Sequence, residues 1–586
     1  MAFKSFILTA IILLLINACL YPQDIKLAVS SSIIIPGYDE PYTSSNLPIV
    51  LINTNGQPIP DDEVRIIADM GIIDNGKYLR NNLTDPMNGY LGKIRIEIRG
   101  ESSTSWSKKQ YNIETVDSFG KNRNVSLLGM PVENDWILNG PFIDKSFMRN
   151  VITFKLARDM RRYASRTRFC ELVLNGEYRG IYILMEKIKR DADRVDIASL
   201  GQDDNQGIDV TGGYILRIDK MDAHYQPGAH YFISRYLQHP QYKQKTCYQF
   251  RYPEFDVITR QQKDYIIDYI NDFEDVMYAN NYADPDSGYS RFIDVSSFID
   301  GFILCELSKN VDSYRLSSYF YKDKGGKLNM GPLWDFNLAY GLANYYDADD
   351  TDDWMIDTLS TPHLMGRYDQ LAQFWWRKLF HDKAFAAALY QRWLELRSTS
   401  LREENIYRFI DANADTLTEA QERNFAIWSP PGQPGEGFWP VPPAIRSLKT
   451  FQDEVNYIKT WLGLRIAWMD ANLPILTGIT AANQSVQPVQ NIDLIQNYPN
   501  PFNDLTCIQF YLSAPADIKL EILNLAGQTV TILLAGRRPA GTGVVHWNAI
   551  TNNGEPVGSG MYISRLTVII PEHPPQVQIR KILLVK

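Results

Sequence analysis

The spacing of apolar residues changes along this chain, and that change limits which folds the chain can adopt. Between residues 93 and 99, Ile94, Ile96 and Ile98 alternate with charged residues, and a period of two marks a strand with one buried face. From residue 261 onward the apolar residues recur at helical spacing. We therefore predict an α+β protein with a β-rich first half, an α-rich second half and a boundary near residue 260.

Within the first half, short runs of apolar residues predict strands, and one segment predicts a helix. Asn175-Gly176 favours a tight hairpin turn because both residue types accept positive φ. Residues 144–160 change to helical spacing, with Asp144 or Ser146 as the candidate N-cap. The predicted strands cover residues 49–52, 64–70, 93–99, 110–115, 135–138, 168–174, 180–188 and 213–218.

The C-terminal region differs from the rest in composition. Residues 476–490 include a polar run of Asn, Gln, Ser and Pro and predict a linker. Beyond it, short alternating strands are separated by Gly and Asn turns. This pattern predicts a small all-β, Ig-like sandwich over residues 491–586.

The N-terminus predicts export. Residues 6–20 are apolar apart from Thr9, Asn17 and Cys19, which is too short to cross a bilayer and typical of a signal peptide. We predict a signal peptide over residues 1–19. Two fates stay open: ordinary cleavage between residues 18 and 23, or lipid attachment at Cys19, which would give an outer-membrane lipoprotein. No later apolar stretch is long enough to span a membrane, so we expect a mature chain without a transmembrane segment, at the cell surface or outside the cell.

Charge and motif content argue against several functional classes. The net charge is -9, whereas nucleic-acid binders more often carry a basic surplus, so we expect no nucleic-acid partner. The seven histidines form no HExxH pattern, which disfavours a zinc hydrolase. The chain also lacks the GxSxG turn of serine hydrolases and the Walker loop of P-loop enzymes.

The best candidate site is a pair of aspartates, Asp312 and Asp335. Asp312 follows an apolar helix and Asp335 follows a predicted hairpin. Because the two strands of a hairpin bring their ends together, both carboxylates can face one cleft. Phosphoryl transfer uses such a pair, one carboxylate taking the proton of the attacking hydroxyl and the other holding Mg²⁺.

Two features of this pair leave its role open. In protein kinases a metal-binding Asn follows the catalytic Asp by five positions, and Ser317 stands there in this chain. Asn337, two residues after Asp335, is the alternative oxygen donor. A helix cap and a turn would explain the same two aspartates without any chemistry.

Several groups of residues occur in order between residues 48 and 475. They are Ile98-Arg99-Gly100-Glu101-Ser102-Ser103 with Lys108-Lys109-Gln110-Tyr111, Ser146-Phe147-Met148-Arg149-Asn150, Asn175-Gly176 through Gly180-Ile181-Tyr182 to Glu186, Arg194-Val195-Asp196-Ile197, Gly212-Gly213-Tyr214-Ile215-Leu216, Asn310 through Asp312, and Trp334-Asp335-Phe336-Asn337.

Together these segments resemble the CotH kinase family of atypical kinases. The resemblance implies a two-lobed kinase-like domain over residues 24–475, with a β-rich N-lobe and an α-rich C-lobe. It also implies binding of Mg²⁺ and ATP and phosphate transfer to protein hydroxyls. Asp312 falls on the family's catalytic Asp and Asp335 on its metal-binding Asp. This chain has Asn337 where the family often has a second Asp.

Four further residues are candidate nucleotide contacts, each with a structural alternative. Ser102 lies in a small donor-rich turn that can hold phosphates or be a plain hairpin turn. Lys109 is the lysine that we expect to face inward and reach the phosphates, since alternation turns only one of two adjacent lysines inward. Arg149 can pair with a phosphate or form a buried ion pair. Glu186 can contact nucleotide or metal, or be a solvated strand end.

The C-terminal region contains five further motif segments, which are Asn497-Tyr498-Pro499-Asn500-Pro501-Phe502-Asn503, Leu525-Ala526-Gly527-Gln528, Gly541-Thr542-Gly543, Gly558-Ser559-Gly560-Met561-Tyr562 and Lys581-Ile582-Leu583-Leu584-Val585-Lys586. Together these segments resemble the type IX secretion sorting domain. This resemblance implies recognition by the type IX export machinery. It indicates where the protein is sent rather than which reaction it catalyses.

These observations predict an exported atypical protein kinase. It would transfer the γ-phosphate of ATP to Ser or Thr hydroxyls of secreted or surface proteins, with Asp312 as base and Asp335 as Mg²⁺ ligand. The alternative is a catalytically weak or inactive kinase-like surface protein that acts in adhesion or scaffolding, which Ser317 and Asn337 would explain. A glycan-binding module is a third hypothesis, suggested by the 12% aromatic content.

Overall fold

A computed structural model describes most of the chain. The described residues are 25, 27, 30–61, 64–221, 224–240, 242–362, 370–433, 440–476, 492–495, 497–512, 515–539, 541–569 and 576–586. The predicted signal peptide and residues 477–490 of the predicted linker lie outside them. No helix in the described part of the chain is long and apolar enough to cross a membrane.

Seven strands between residues 49 and 186 close into a barrel with the order β1-β2-β3-β4-β5-β7-β6. Every neighbouring pair is antiparallel except the closing pair, β1 with β6, which is parallel from Ile49 beside Glu171 to Ile52 beside Leu174. The strands are β1 Ile49–Asn53, β2 Ile66–Ile73, β3 Tyr90–Arg99, β4 Gln110–Val116, β5 Asp135–Asn139, β6 Thr167–Leu174 and β7 Glu177–Glu186.

The barrel is packed on both faces, because its strands alternate apolar residues between two cores. In β7, Tyr182 and Leu184 belong to the core inside the barrel, while Ile181 and Ile183 pack against the helices outside it. The predicted Asn175-Gly176 turn joins β6 to β7 with φ of 54° and 82°, so this hairpin prediction is confirmed.

A second unit combines a five-stranded antiparallel sheet with helices. The sheet has the order β9-β10-β8-β11-β12, with β8 Tyr214–Ile218, β9 Tyr231–His239, β10 Tyr242–Tyr252, β11 Ser318–Lys322 and β12 Leu328–Met330. The helices are α1 Arg149–Asp159, α2 Arg260–Tyr278, α3 Val295–Ser308, α4 Met355–Leu359, α5 Phe374–His381, α6 Lys383–Ser398, α7 Glu403–Ile427, α8 Pro443–Arg446 and α9 Phe451–Leu476.

This arrangement confirms the α+β class and corrects the boundary predicted near residue 260. Leu216 of β8 and Phe250 of β10 share one core with Phe298 and Phe302 of α3, so strands on both sides of residue 260 belong to the helical unit. The sequence pattern could not show this, because β8 pairs with β11 across about a hundred residues, from Ile218 beside Ser318 to Tyr214 beside Lys322.

The first helix begins later than predicted. Residues 144–148 form turns, and α1 starts at Arg149. The cause is Asp144, whose carboxylate accepts hydrogen bonds from the backbone N–H of Ser146 and of Arg149. It therefore satisfies the first backbone N–H of α1 from five residues upstream.

A buried ion pair joins α3 to α9. Both the Glu306 and Arg465 side chains are fully buried, with 3.2 Å between Oε2 and Nη2. The Glu306 carboxylate also accepts the Tyr314 hydroxyl at 2.8 Å and the backbone N–H groups of Met355 and Ile356 at the start of α4. Burial lowers the pKa of Arg465 to about 10. The pair thus ties together two helices, a helix start and the loop after α3.

The C-terminal region consists of two antiparallel sheets, β13-β14-β17 and β16-β15-β18-β19. They share one core in which Phe510 and Trp547 of the first sheet pack with Leu520 and Leu566 of the second. The Ig-like assignment stays a prediction. The strands are β13 Ile492–Leu494, β14 Thr506–Leu512, β15 Ala516–Leu523, β16 Thr529–Arg538, β17 Gly541–Trp547, β18 Gly560–Ile569 and β19 Gln576–Leu584.

Removing one partner of the Glu306–Arg465 pair should destabilise the protein strongly. Arg465→Met leaves the Glu306 carboxylate buried without its cation, and we expect the free energy of unfolding to fall by about 3–5 kcal/mol. The measurement is urea unfolding of the full chain. Arg377→Met is the matched control, since Arg377 pairs with Asp357 at the surface, and it should cost less than about 1 kcal/mol. Equal losses in the two variants would contradict this role of the buried pair.

Candidate active site

The hairpin of β11 and β12 brings Asp312 and Asp335 into one site. Asp312 lies in the turn between α3 and β11, and Asp335 follows β12 by five residues. Phe320 faces Met330 across the hairpin, so the chain enters and leaves the hairpin on the same side. The two loops also touch directly, since the Asn310 side chain donates to the Asp335 carbonyl at 3.0 Å. The two loops therefore lie side by side, and the roles predicted for Asp312 and Asp335 stay predictions.

The Asp335 backbone is held in an unusual conformation. Its φ is 64°, in the left-handed region that Asp tolerates better than most residues. The next peptide N–H, that of Phe336, donates to Asn150 Oδ1 at 2.7 Å, and Arg149 donates to the Ala339 carbonyl at 2.9 Å. Contacts from α1 therefore fix the segment that carries Asp335.

Burial and neighbouring negative charges raise the pKa of Asp335 to about 7. Burial is the largest cause, followed by the negative charges of Asp312 and Asp219, and the positive charges of Arg99 and Lys220 partly offset them. Like charges that converge in this way favour a cation between them. The surroundings of Asp335 therefore disfavour the ionisation of its carboxyl group.

Asp219 is a third carboxylate of the site, and the sequence analysis missed it. It follows β8 and lies beside the start of β11 because Ile218 pairs with Ser318. Its Oδ2 accepts the Ser317 hydroxyl at 3.4 Å and forms an ion pair with Arg217 at 3.3 Å. A polar residue directly after an apolar strand was the available signal, but the pairing partner of that strand was not known.

Arg99 is the cation that the barrel contributes, and it was also missed as a site residue. It is the last residue of β3, and its guanidinium lies 5.6 Å from the ring centre of Trp334, next to Asp335 in sequence. The sequence could have indicated Arg99, because Arg99 and Gly100 belong to the family motif.

The two adjacent lysines are placed differently from the prediction. Lys108 is the buried one, with its ammonium 2.8 Å from Asn424 Oδ1 and only 1% exposure. Burial lowers its pKa well below the usual value. Lys109 is half-buried and donates to the Thr104 carbonyl. Strand alternation could not decide which lysine faces inward, because both lysines precede β4, which begins at Gln110.

Arg149 and Glu186 are both enclosed by protein partners. The Arg149 side chain is fully buried and pairs with Asp144. This is the buried ion pair that was the alternative to a phosphate contact. Glu186 is fully buried too, so it is not a solvated strand end, and its carboxylate binds Arg166 at 2.7 Å and the Tyr163 hydroxyl at 3.3 Å. Roles for these two side chains in nucleotide binding stay predictions.

Asn337 lines a cavity that does not include the carboxylates of Asp312 and Asp335. The cavity lies between the barrel and α1 and opens partly to solvent. Asn337 Oδ1 is buried without a hydrogen-bond partner among the described residues. Ser102 lies in the short turn 102–105 after β3, and its side chain is outside the described part. The residues that line the cavity together with Asn337 include Trp106, Gln110, Asn139, Phe142, Asp144 and Asn150.

The donor set fits a loosely held Mg²⁺. Within the described ranges, no three His, Cys, Asp or Glu side chains form a ready metal cluster. Mg²⁺ does not require one, since it keeps several waters and binds through one or two carboxylates together with substrate phosphates. Asp335, with Asp312 and Asp219 nearby, meets that requirement.

A mixed helix-and-strand domain with acidic side chains converging at a hairpin suits a phosphate-transferring enzyme. The family model "CotH kinase protein" matches residues 96–469, more than half of the chain. The chain belongs to the CotH kinase protein family, which suggests a kinase-like protein. No curated protein matches it.

Two solved structures share only short or loose similarity with this chain. One is dimeric latent PorU from Porphyromonas gingivalis, with 19% identity, a TM-score of 0.15, and coverage of 17% of this chain and 10% of PorU. The other is the Pseudomonas fluorescens alkylpurine DNA glycosylase AlkC, with 11% identity, a TM-score of 0.13, and coverage of 40% and 64%. The alignments span less than two thirds of either protein, and these scores are too low to inform fold or function.

The pKa of Asp335 predicts a pH-dependent stability. The folded protein holds this proton up to about pH 7, whereas the unfolded chain releases it near 3.8. The stabilisation is therefore complete below the unfolded value and is lost as pH rises through 7. Asp335→Asn should gain stability relative to the wild type between pH 4 and pH 7, as measured by thermal midpoints without divalent ions.

Mg²⁺ provides the control for this effect. A bound cation favours the ionised carboxylate, so added Mg²⁺ should shrink the difference between wild type and Asp335→Asn. Glu274, whose pKa burial also raises to about 7, offers a comparison, because the difference due to Glu274→Gln should not respond to Mg²⁺. Identical pH dependence of the wild type and Asp335→Asn would refute the assignment.

Proposed function

We propose that this protein is an atypical protein kinase that transfers the γ-phosphate of ATP to Ser or Thr hydroxyls. The observation that carries the proposal is the electrostatic contact between Asp312 and Asp335, which come from two loops joined by the Asn310 contact. Family membership supports the same class of reaction.

In this mechanism Asp312 accepts the proton of the attacking hydroxyl. Its carboxylate is about one-fifth exposed and lies 3.5 Å from Arg315 Nη2, so an acceptor hydroxyl can reach it from solvent. The hydroxyl oxygen bonds to the γ-phosphorus, the bond to the β–γ bridging oxygen breaks, and ADP leaves. Asp335 would hold Mg²⁺, which neutralises phosphate charge when bound.

Single substitutions should separate the two roles. Asp312→Asn removes the base, and we expect phosphate transfer to fall by about 10²–10⁴-fold while ATP binding persists. Asp335→Asn should abolish the Mg²⁺ dependence of ATP binding as well as transfer. The measurements are ATP titration calorimetry and ³²P transfer to a generic protein acceptor, with the full mature chain.

Asp350→Asn is the matched control, because Asp350 is an exposed carboxylate on the loop before α4 and should leave both readouts unchanged. Absence of ATP binding by the wild type would eliminate the kinase proposal. ATP binding without transfer in the wild type would instead favour the scaffolding alternative.

We also propose that the protein is exported by the type IX machinery, acts on proteins at the cell surface or in secretion, and carries its kinase-like domain over residues 24–475. The support is the N-terminal apolar segment and the C-terminal motif set. A chain ending at residue 476 should accumulate inside the cell envelope, whereas the full chain should reach the surface, as measured by protease accessibility in intact cells. Equal surface exposure of both chains would refute the sorting role.

A further inference from the structure

The helix α9 is covered on all sides, and the C-terminal sandwich supplies part of that cover. Every residue of α9 between Asp453 and Pro474 is buried or half-buried, whereas a helix at a protein surface normally keeps one polar face in water. α9 packs against α3, α6 and α7 of the helical unit and also against β17 of the sandwich. The helix therefore lies at a boundary between the helical unit and the sandwich.

The sandwich meets this boundary with the outer face of its first sheet, β13-β14-β17. Ile508 and Phe510 of β14 belong to the sandwich core, and side chains alternate along a strand, so the residues between them point outward. The second sheet differs, since Ile579 on the outer face of β19 is 55% exposed. The outward residues of the first sheet include Cys507 and Gln509 of β14, opposite His546 and Val544 of β17, and all four are half-buried.

Specific contacts join the two surfaces. The Tyr498 hydroxyl of the sandwich donates to Asn456 Oδ1 of α9 at 3.2 Å, and the Lys459 ammonium lies 5.5 Å from the centre of the Tyr498 ring. One turn further along α9, a Cβ at Gly463 would lie only 3.3 Å from Gln509 Nε2. The absence of a side chain at Gly463 thus lets the helix backbone approach the sheet closely.

Cys507 lies beside a carboxylate of α7. Burial raises the pKa of the Cys507 thiol to about 12, and the negative charge of Glu403 is the second cause. Glu403 Oε1 is buried without a hydrogen-bond partner among the described residues, and Arg397 Nη2 lies 3.9 Å from Glu403 Oε2. This part of the surface therefore accepts a small neutral side chain and should reject a second carboxylate.

We propose that the outer face of β14 and β17 is a docking surface for α7 and α9, so that the sandwich stays bound to the helical unit when the chain between residues 477 and 490 is cut. Interfaces between domains of one chain resemble those between separate proteins. The contacts described above join side chains before and after this segment, so none of them requires an intact peptide connection. Cleavage would leave the two parts together, and release of the sandwich would need a second event that opens this surface.

The test uses the full chain with a site-specific protease sequence placed within residues 477–490. After cutting, sedimentation velocity over a dilution series measures the dissociation constant of the two parts, and we expect the wild-type parts to sediment together at micromolar concentration. Cys507→Asp places a carboxylate beside Glu403 and should raise the dissociation constant by about 100-fold or more. Cys507→Asn is the matched neutral variant and should stay associated.

Two further variants distinguish repulsion at this surface from a general effect of added charge. Glu403→Gln combined with Cys507→Asp removes the like charge and should restore association. Ile579→Asp adds a carboxylate to the exposed outer face of the second sheet and should sediment like the wild type. Separation of the wild-type parts, wild-type association in Cys507→Asp, or separation caused equally by Ile579→Asp would overturn the proposal.

Tyr498→Ala keeps the docking surface testable if Cys507→Asp does not fold. It adds no charge and removes the contacts with Asn456 and Lys459, so we expect the dissociation constant to rise about 10-fold. Unchanged association in Tyr498→Ala would then count against this surface. None of these readouts involves ATP, so their outcome is independent of the kinase proposal.

Discussion

The site depends on the buried contact between Glu306 and Arg465. A buried carboxylate needs a cation and donors to offset its desolvation, and Glu306 obtains them from α9, from Tyr314 and from the start of α4. Tyr314 lies two residues after Asp312, so the same carboxylate that joins the helices also fixes the loop of the candidate base. Arg465 further donates to the carbonyls of Thr351 and Asp353, which anchors the acidic loop that follows the site. Stability and active-site geometry therefore share one group of atoms.

A second set of contacts fixes the position of the loop that carries Asp335. Asn150 and Arg149 of α1 hold Phe336 and Ala339, and Asp144 holds Arg149. Because α1 also packs against the outside of the barrel, the barrel determines where Asp335 lies, although Asp335 belongs to the other unit. Arg99 then reaches the same place from the end of β3. The candidate site is thus a junction at which the second unit supplies the carboxylates and Lys220 and the barrel supplies Arg99.

Local signals predicted much of this arrangement, and long-range pairing explains what they missed. The Asn175-Gly176 turn and the hairpin between Asp312 and Asp335 could be predicted because turn chemistry and strand ends act over a few residues. Asp219 could not, because it joins the site only through pairing of β8 with β11. The closed barrel likewise depends on β1 meeting β6. Lys109 was favoured by alternation in a strand that had not yet begun. Arg99 was part of a recognised motif, but its position over Trp334 is visible only in three dimensions.

The contacts of the two units differ in how far along the chain they reach. All seven barrel strands lie before residue 187, so their pairing needs no later residue. The β8–β11 pairing needs residues up to 322, and Glu306 needs Arg465. The strand pairing of the barrel is therefore complete within the first third of the chain, whereas the candidate site needs residues up to 465, close to the end of the family-matched region.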